Sequence, residues 1–222
     1  MRLMHNIFSR PIEFRENEIN VLVIENPTIL LQLTHELINQ SKGEEGRYIL
    51  SNNFEPVEIS KSCEVITDIF SIDINKRKII TKVYNLLETK IMNDCYIQVL
   101  EMRTLLCSLM EEFIDLSDLP MSYNHEIDVI GIMKLVELKI DAYCENILET
   151  VINYIDVINE LFGVSCFVFL NIKCYFTYQE MLEIYKHVHY KKINLLLIEG
   201  TNRETLAGER LRIIDIDLCE LY

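Results

Sequence analysis

Hydrophobic and polar positions divide this chain into three stretches of different character. In the first, Ile19–Ile24 is short, apolar and rich in β-branched side chains, which predicts a buried strand. Pro27 follows, placed to open a helix whose apolar positions are Leu30, Leu31, Leu33, Leu37 and Ile38. Lys42–Gly46 is a polar break, and Tyr48–Leu50 and Cys63–Ile66 read as further short strands with Pro56 between them. The second stretch, Asn75 to about Leu161, lacks strand-like alternation and holds a single proline. Ile79, Ile80, Val83, Leu86, Leu87 and Ile91 recur at helical spacing, as do Val99, Met102, Leu105, Leu106, Leu109 and Met110. Asp115–Pro120 interrupts that pattern. Two more helices are predicted at about Ile127–Leu138 and Tyr143–Leu161, the latter closed by Gly163 as C-cap.

The third stretch returns to strand–helix–strand order. Cys166–Leu170 predicts a buried strand, and Thr177 with Glu180 three residues on forms a capping box for a helix over Tyr178–His189. Ile193–Glu199 is another strand, and Arg212–Ile216 a last one. Units of this length favour parallel pairing. The predicted fold is therefore α/β: a head with a mostly parallel sheet built from both chain ends (1–73 and 163–222), interrupted by an all-α insertion, or leg (74–162). No internal repeat or low-complexity tract is visible.

Composition narrows the classes. Six glycines and four prolines in 222 residues argue against a turn-rich all-β fold and against disorder. The longest apolar runs are far too short to span a bilayer, and Met1–Asn6 shows no apolar signal region, so a cytoplasmic, membrane-free protein is expected. Seven cysteines at irregular spacing, none in a C-x-x-C pair, point to reduced, buried thiols rather than a disulfide framework or zinc site. With 21 basic against 35 acidic side chains the net charge is −14, which weighs against nucleic acid as partner unless the cations share one surface.

No pattern supports standard catalytic machinery. After the Ile19–Ile24 strand the chain reads Glu25-Asn26-Pro27-Thr28, without the glycines a phosphate cradle needs. A G-x-S-x-G elbow is absent. His187 and His189 stand two apart on a predicted helix and so point in different directions. Glu88-Thr89-Lys90 and Glu137-Leu138-Lys139 have the acid-x-lysine form of some nucleases, but both fall in helical sequence rather than on a sheet. Asp215 and Asp217 read as solvated charges of an edge strand.

Two charged groups remain open to more than one reading. Glu111, Glu112, Asp115 and Asp118 precede Pro120, and Glu126 and Asp128 follow it; such a turn is either an acidic solvated surface or a set of oxygen ligands for a hard cation such as calcium. The basic stretches are Lys76-Arg77-Lys78 with Lys82, the pair Lys134 and Lys139, and Lys186 with Lys191 and Lys192. Each is either a solvated face or a phosphate contact. With no helix-turn-helix, zinc finger or aromatic RNA-binding signature, backbone contact is the mode of nucleic-acid binding they invite.

The order of several segments resembles the Csn-two family, the small CRISPR-associated protein of type II-A systems. Val65-Ile66-Thr67-Asp68-Ile69-Phe70-Ser71-Ile72-Asp73-Ile74-Asn75 is similar to a characteristic segment of that family. Leu138–Asp141 with Ile147–Glu149, Phe167–Asn171 with Thr177–Glu180, Leu195–Glu199 and the opening Phe8–Glu13 are similar pieces in the same order. The resemblance implies a homotetrameric ring with an α/β head and helical legs. It implies binding of double-stranded DNA ends through the central hole without sequence preference, stabilisation by calcium, and no enzymatic activity. It also implies a role in spacer acquisition beside the CRISPR integrase complex and the RNA-guided nuclease. Asp115 and Asp141 fall where the family's calcium-binding acids lie, and Asp118 and Glu126 complete the candidate metal set, the Ser117–His125 loop being longer and less acidic than the family's. Lys139 matches a family lysine, whereas Lys76-Arg77-Lys78 replaces a less basic segment. The candidate DNA contacts are therefore Lys76, Arg77, Lys78, Lys82, Lys134 and Lys139. Two alternatives stand beside this expectation: a cation-dependent nuclease or degenerate NTPase, and an acidic scaffold for other proteins.

Overall fold

The computed structural model describes residues 1–126 and 128–222 and divides into two units, Met1–Ile72 with Cys144–Tyr222, and Asp73–Tyr143. In chain order the first unit opens with β1 (Arg2–Met4), β2 (Ile12–Glu13), β3 (Ile19–Ile24), α1 (Pro27–Ser41), β4 (Ile49–Asn52), β5 (Glu55–Val57), α2 (Ile59–Ser62) and β6 (Cys63–Ile66). The second unit holds α3 (Arg77–Asp94), α4 (Tyr96–Asp115) and α5 (Val129–Leu135). The chain then returns to the first unit with α6 (Ile147–Phe162), β7 (Cys166–Leu170), α7 (Tyr178–Tyr190), β8 (Asn194–Glu199), β9 (Glu209–Ile214) and β10 (Glu220–Leu221).

The expected α/β class and mostly parallel sheet are what the chain forms. Six strands run in the order β10-β9-β3-β8-β7-β6, parallel throughout except for β10 against β9. Both faces are covered, which is why β3 and β7 read as apolar runs without alternation. Leu22, Ile24, Cys63, Cys166, Val168, Leu196 and Ile198 join Leu33 and Leu37 of α1 in one core. Successive strand residues face opposite ways, so Phe167, Phe169, Leu195 and Leu197 turn to the other side, where α7 packs on β8. A second, antiparallel sheet in the order β2-β1-β4-β5 takes the strand predicted at Tyr48–Leu50 as β4, while its other strands lie outside what the hydrophobic pattern predicts; Leu3, Ile12 and Leu50 bring it into the same core. Its strands are of two to four residues, too short to carry a periodic signal.

Three boundaries differ from expectation. The helix over about Tyr143–Leu161 belongs to the first unit, not the insertion, so the division falls at Tyr143 and Cys144 rather than at 162 and 163. The cause is packing: α6 buries Leu148, Val151, Tyr154, Ile155 and Ile158, and its Tyr154 hydroxyl donates to Glu64 Oε1 of β6 at 2.6 Å. The last parallel strand begins at Glu209 rather than Arg212, and Asp215 lies beyond it in a turn, where its Oδ1 accepts the Cys219 N–H at 2.7 Å. The helix expected from Ile127 is α5, from Val129; Ile127 itself lies outside the described residues.

Candidate nucleic-acid interface

Within the second unit, α3 is amphipathic. Ile79 and Tyr84 are buried, and Tyr84 packs with Val99 of α4 and with Val129 and Met133 of α5, supported by Ile80, Leu87, Ile91, Met92, Met102 and Ile130. That leaves Lys76, Arg77, Lys78 and Lys82 exposed around the helix's first turns. Lys76 occupies the N-cap position without a capping side-chain bond, and no acid sits in the first turn. Three cations thus stand at the N-terminal end of α3, where the helix dipole is positive.

One residue ties this end of α3 to a second basic segment. The Asn75 side chain donates through Nδ2 to the Ile140 carbonyl at 3.1 Å and accepts the Ile140 N–H at its Oδ1 at 3.0 Å. Nine residues on, the Tyr84 hydroxyl donates to the Leu138 carbonyl at 2.8 Å. Lys139 sits between the two anchor points, exposed, with Nζ 3.3 Å from Glu137 Oε2. Lys134 is exposed in the last turn of α5, which packs against α3. The structure thus connects Lys76, Arg77, Lys78 and Lys82 to Lys139 through hydrogen bonds, and Lys134 through the α3–α5 packing. Asn75 and Tyr84 were not among the predicted site residues; the Asp73-x-Asn75 pair ahead of the basic triplet was the one signal for them. Asp73 Oδ1 accepts the Asn75 N–H at 2.8 Å and so sets the turn that aims the amide.

The acids are arranged differently. Asp115 is the last residue of α4 and Asp118 lies just beyond it, both exposed. Glu126 is exposed in the following loop, its N–H donated to Asn124 Oδ1 at 3.0 Å. Asp141 Oδ1 accepts the Tyr143 N–H at 3.1 Å, and Asp128 caps α5 through the Gly131 N–H. Glu111 takes a bond from the Tyr123 hydroxyl at 3.3 Å; burial, together with Cys107 and Glu111, pushes that phenol up to about 12. Among the described residues no three His, Cys, Asp or Glu side chains gather into a group that would hold a metal ion. Calcium takes six to eight oxygen ligands, and the described side chains of one chain do not gather such a set.

The remaining candidates separate as well. His187 Nε2 lies 2.8 Å from Asp156 Oδ1, with Lys191 Nζ 3.4 Å from the same oxygen, while His189 Nε2 is buried without a partner among the described residues and burial lowers its pKa. Glu137 and Lys139 pair with each other, and Glu88 lies on α3, so neither triplet stands on a sheet. The β3–α1 connection is two residues long, and Asn26 Oδ1 takes the Thr28 and Ile29 N–H groups at 3.1 and 3.2 Å. Those donors are the ones a phosphate-binding turn would offer. Of the cysteines, expected to be buried, Cys63 and Cys166 are, whereas Cys174 and Cys219 are exposed and the other three half-buried; all seven are free thiols.

The family model of CRISPR-associated protein (Cas_Csn2) matches residues 40–218. The chain belongs to this family. The match runs from the end of α1 through the whole Asp73–Tyr143 unit to the turn after β9, so it includes every residue of the basic group described above. The similar opening Phe8–Glu13, with β1 to β3, lies outside it. No curated protein matches the chain. Membership of the Cas_Csn2 family gives the protein a CRISPR-associated role, and among the described residues no helix is long and apolar enough to cross a membrane.

Proposed function

We propose that this CRISPR-associated protein is a non-catalytic, cytoplasmic binder of double-stranded DNA ends that acts in spacer acquisition, contacting the sugar–phosphate backbone without sequence preference. The observation that carries the reading is the Asn75 bridge, which holds Lys139 against the start of α3 where Lys76, Arg77 and Lys78 surround an uncapped helix end. Lysine and arginine there neutralise phosphates and release counterions, a mode that needs no base contact.

Self-assembly into a homotetrameric ring reconciles this with a net charge of −14, because a basic segment repeated around a hole makes a local positive lining on an acidic protein. Support for assembly comes from the second unit, where Leu105, Leu116, Leu119 and Leu135 are 72%, 86%, 69% and 79% exposed. Assembly would give these side chains apolar surface to cover. The CRISPR integrase complex and the RNA-guided nuclease are the partners this role implies. Calcium enters no step of the reading, since the described side chains of a single chain do not gather its donor set.

The test is duplex binding by native protein across a salt series, with linear and closed circular DNA in parallel. Wild-type protein is expected to assemble as a tetramer, to retain linear duplex and to refuse closed circles. K76A/R77A/K78A is expected to bind all sequences more weakly, with a shallower dependence on salt, by about 0.9 in the log–log slope for each phosphate no longer neutralised. Unchanged affinity and slope would remove these residues from the interface. A tetramer indifferent to DNA would favour a protein-interaction scaffold, and metal-dependent cleavage a nuclease.

A further inference from the structure

Cys63 of β6 and Cys166 of β7 are register partners on neighbouring parallel strands. Register partners point to the same face of a sheet, and here both side chains enter the same core, at 5% and 1% exposure. The neighbouring Cys63 thiol, with burial, pushes the Cys166 thiol up. Neighbouring strands lie about 4.8 Å apart, inside the ~4.4–6.8 Å Cα separation over which a disulfide closes. The remaining adjustment is to bring the two Cβ atoms somewhat closer. β6 is the edge strand of its sheet, so it moves toward β7 without opening a ladder on its other side.

The position of the pair in the chain gives the bond its consequence. Residues 64–165 contain the entire Asp73–Tyr143 unit, and Cys63 and Cys166 are the first residues of β6 and β7. A bond between them covalently closes a loop that carries the whole inserted unit.

We propose that Cys63 and Cys166 form a reversible, oxidant-dependent cross-strand disulfide that ties the edge strand β6 to β7 and closes the loop carrying the inserted unit. With hydrogen peroxide as oxidant, one cysteine as thiolate attacks a peroxide oxygen, giving a sulfenic acid and releasing hydroxide, which takes up the proton. The second thiol then attacks the sulfenic sulfur, forming the S–S bond and expelling water. The sum is two thiols and one peroxide giving one disulfide and two waters. Because both thiols are buried, the reaction proceeds through fluctuations of the β6 edge. It is therefore slower than oxidation of the exposed Cys174 and Cys219, and is protected from over-oxidation by the adjacent resolving thiol.

The experiment treats reduced full-length protein with peroxide, blocks remaining thiols with N-ethylmaleimide after unfolding, and maps peptides without reduction. The expected result is a Cys63–Cys166 linked peptide that dithiothreitol reverses, with a rise of several degrees in Tm for the oxidised protein, as a closure of this length gives. C63S is expected to abolish both the linked peptide and the Tm rise. Recovery of Cys63 and Cys166 as alkylated thiols while Cys174 and Cys219 are oxidised would overturn the proposal, as would sulfinic acid at either position. Should C63S fail to fold, the wild-type peptide map decides alone.

Discussion

Lys173 Nζ lies 2.9 Å from Glu209 Oε1, and the two side chains are 6% and 0% exposed. The pair joins the turn after β7 to the start of β9. It is fully ligated: Glu209 also accepts from the Tyr185 hydroxyl and the Leu206 N–H, and Lys173 donates to the Glu204 carbonyl. Removing one partner leaves an uncompensated charge in the core. Lys173→Met is expected to lower unfolding free energy by about 3–5 kcal/mol in urea titration, and K173M/E209Q to recover a large part of that. A single variant within about 1 kcal/mol of wild type would show that the charge finds solvent after all.

The Asn75 bridge makes a local prediction. Asn75→Ala removes one donor and one acceptor that the Ile140 backbone uses, at about 1–3 kcal/mol for groups left unmatched. The exchange rate of the Ile140 amide should rise by at least tenfold, while amides of β3 and β8 keep their protection. Loss of protection in the parallel sheet as well would mean that the two units unfold together. DNA affinity should fall in N75A although no cation has been removed, because Lys139 loses its anchor.

Acid stability is expected to hinge on Glu36. Its carboxylate is held at about 2 by the Arg47 side chain, with the Arg47 N–H and His5 adding to the effect. The folded pKa lies below the ordinary carboxylate value of 4.5, so this group's stabilisation is present above pH 4.5 and is lost as pH falls toward 2. Arg47 is half exposed, and solvent screening limits the contribution to about 1–2 kcal/mol. His5 acts at higher pH: burial lowers its pKa below 6.5, so its neutral form favours the folded state above that value and the advantage shrinks as pH drops. Melting temperatures of wild type and Glu36→Gln from pH 7 to 2 are expected to draw together below pH 4.5 and to meet near pH 2. Parallel curves would exclude Glu36 as the source.

Much of the parallel sheet was legible because its strands are buried on both faces and its helices carry explicit punctuation. Thr177 and Glu180 form the predicted reciprocal box, Pro27 opens α1, and Gly163 closes α6 at φ 69°. Hydrophobic period could not assign α6 to a unit, since an amphipathic helix presents the same stripe whichever partner covers it. The basic residues of the interface were visible one by one. What joins them, the Asn75 side chain against a backbone 65 positions away, has no spacing signal. Of the candidate calcium acids, Asp141 accepts a local turn bond, and Asp128 of the same acidic stretch caps α5, local roles that composition does not reveal.

The turn after β3 bears on the remaining alternative, a degenerate NTPase. Asn26 satisfies the Thr28 and Ile29 N–H groups itself and donates through Nδ2 to the Ile216 carbonyl at 3.0 Å, so the helix end that would face a phosphate is closed by the chain. Across the sheet edge, a Cβ at Gly200 would stand 3.1 Å from Leu30 of α1, so the helix already crowds the end of β8. Asn26→Ala is expected to cost about 1 kcal/mol through the lost cap. Millimolar MgATP should leave Tm unchanged in wild type and variant alike, because unsealing two N–H groups does not supply the glycines and lysine of a phosphate cradle. A nucleotide-dependent rise in Tm of wild-type protein would show that the crevice binds phosphate by another route and would reopen the NTPase reading.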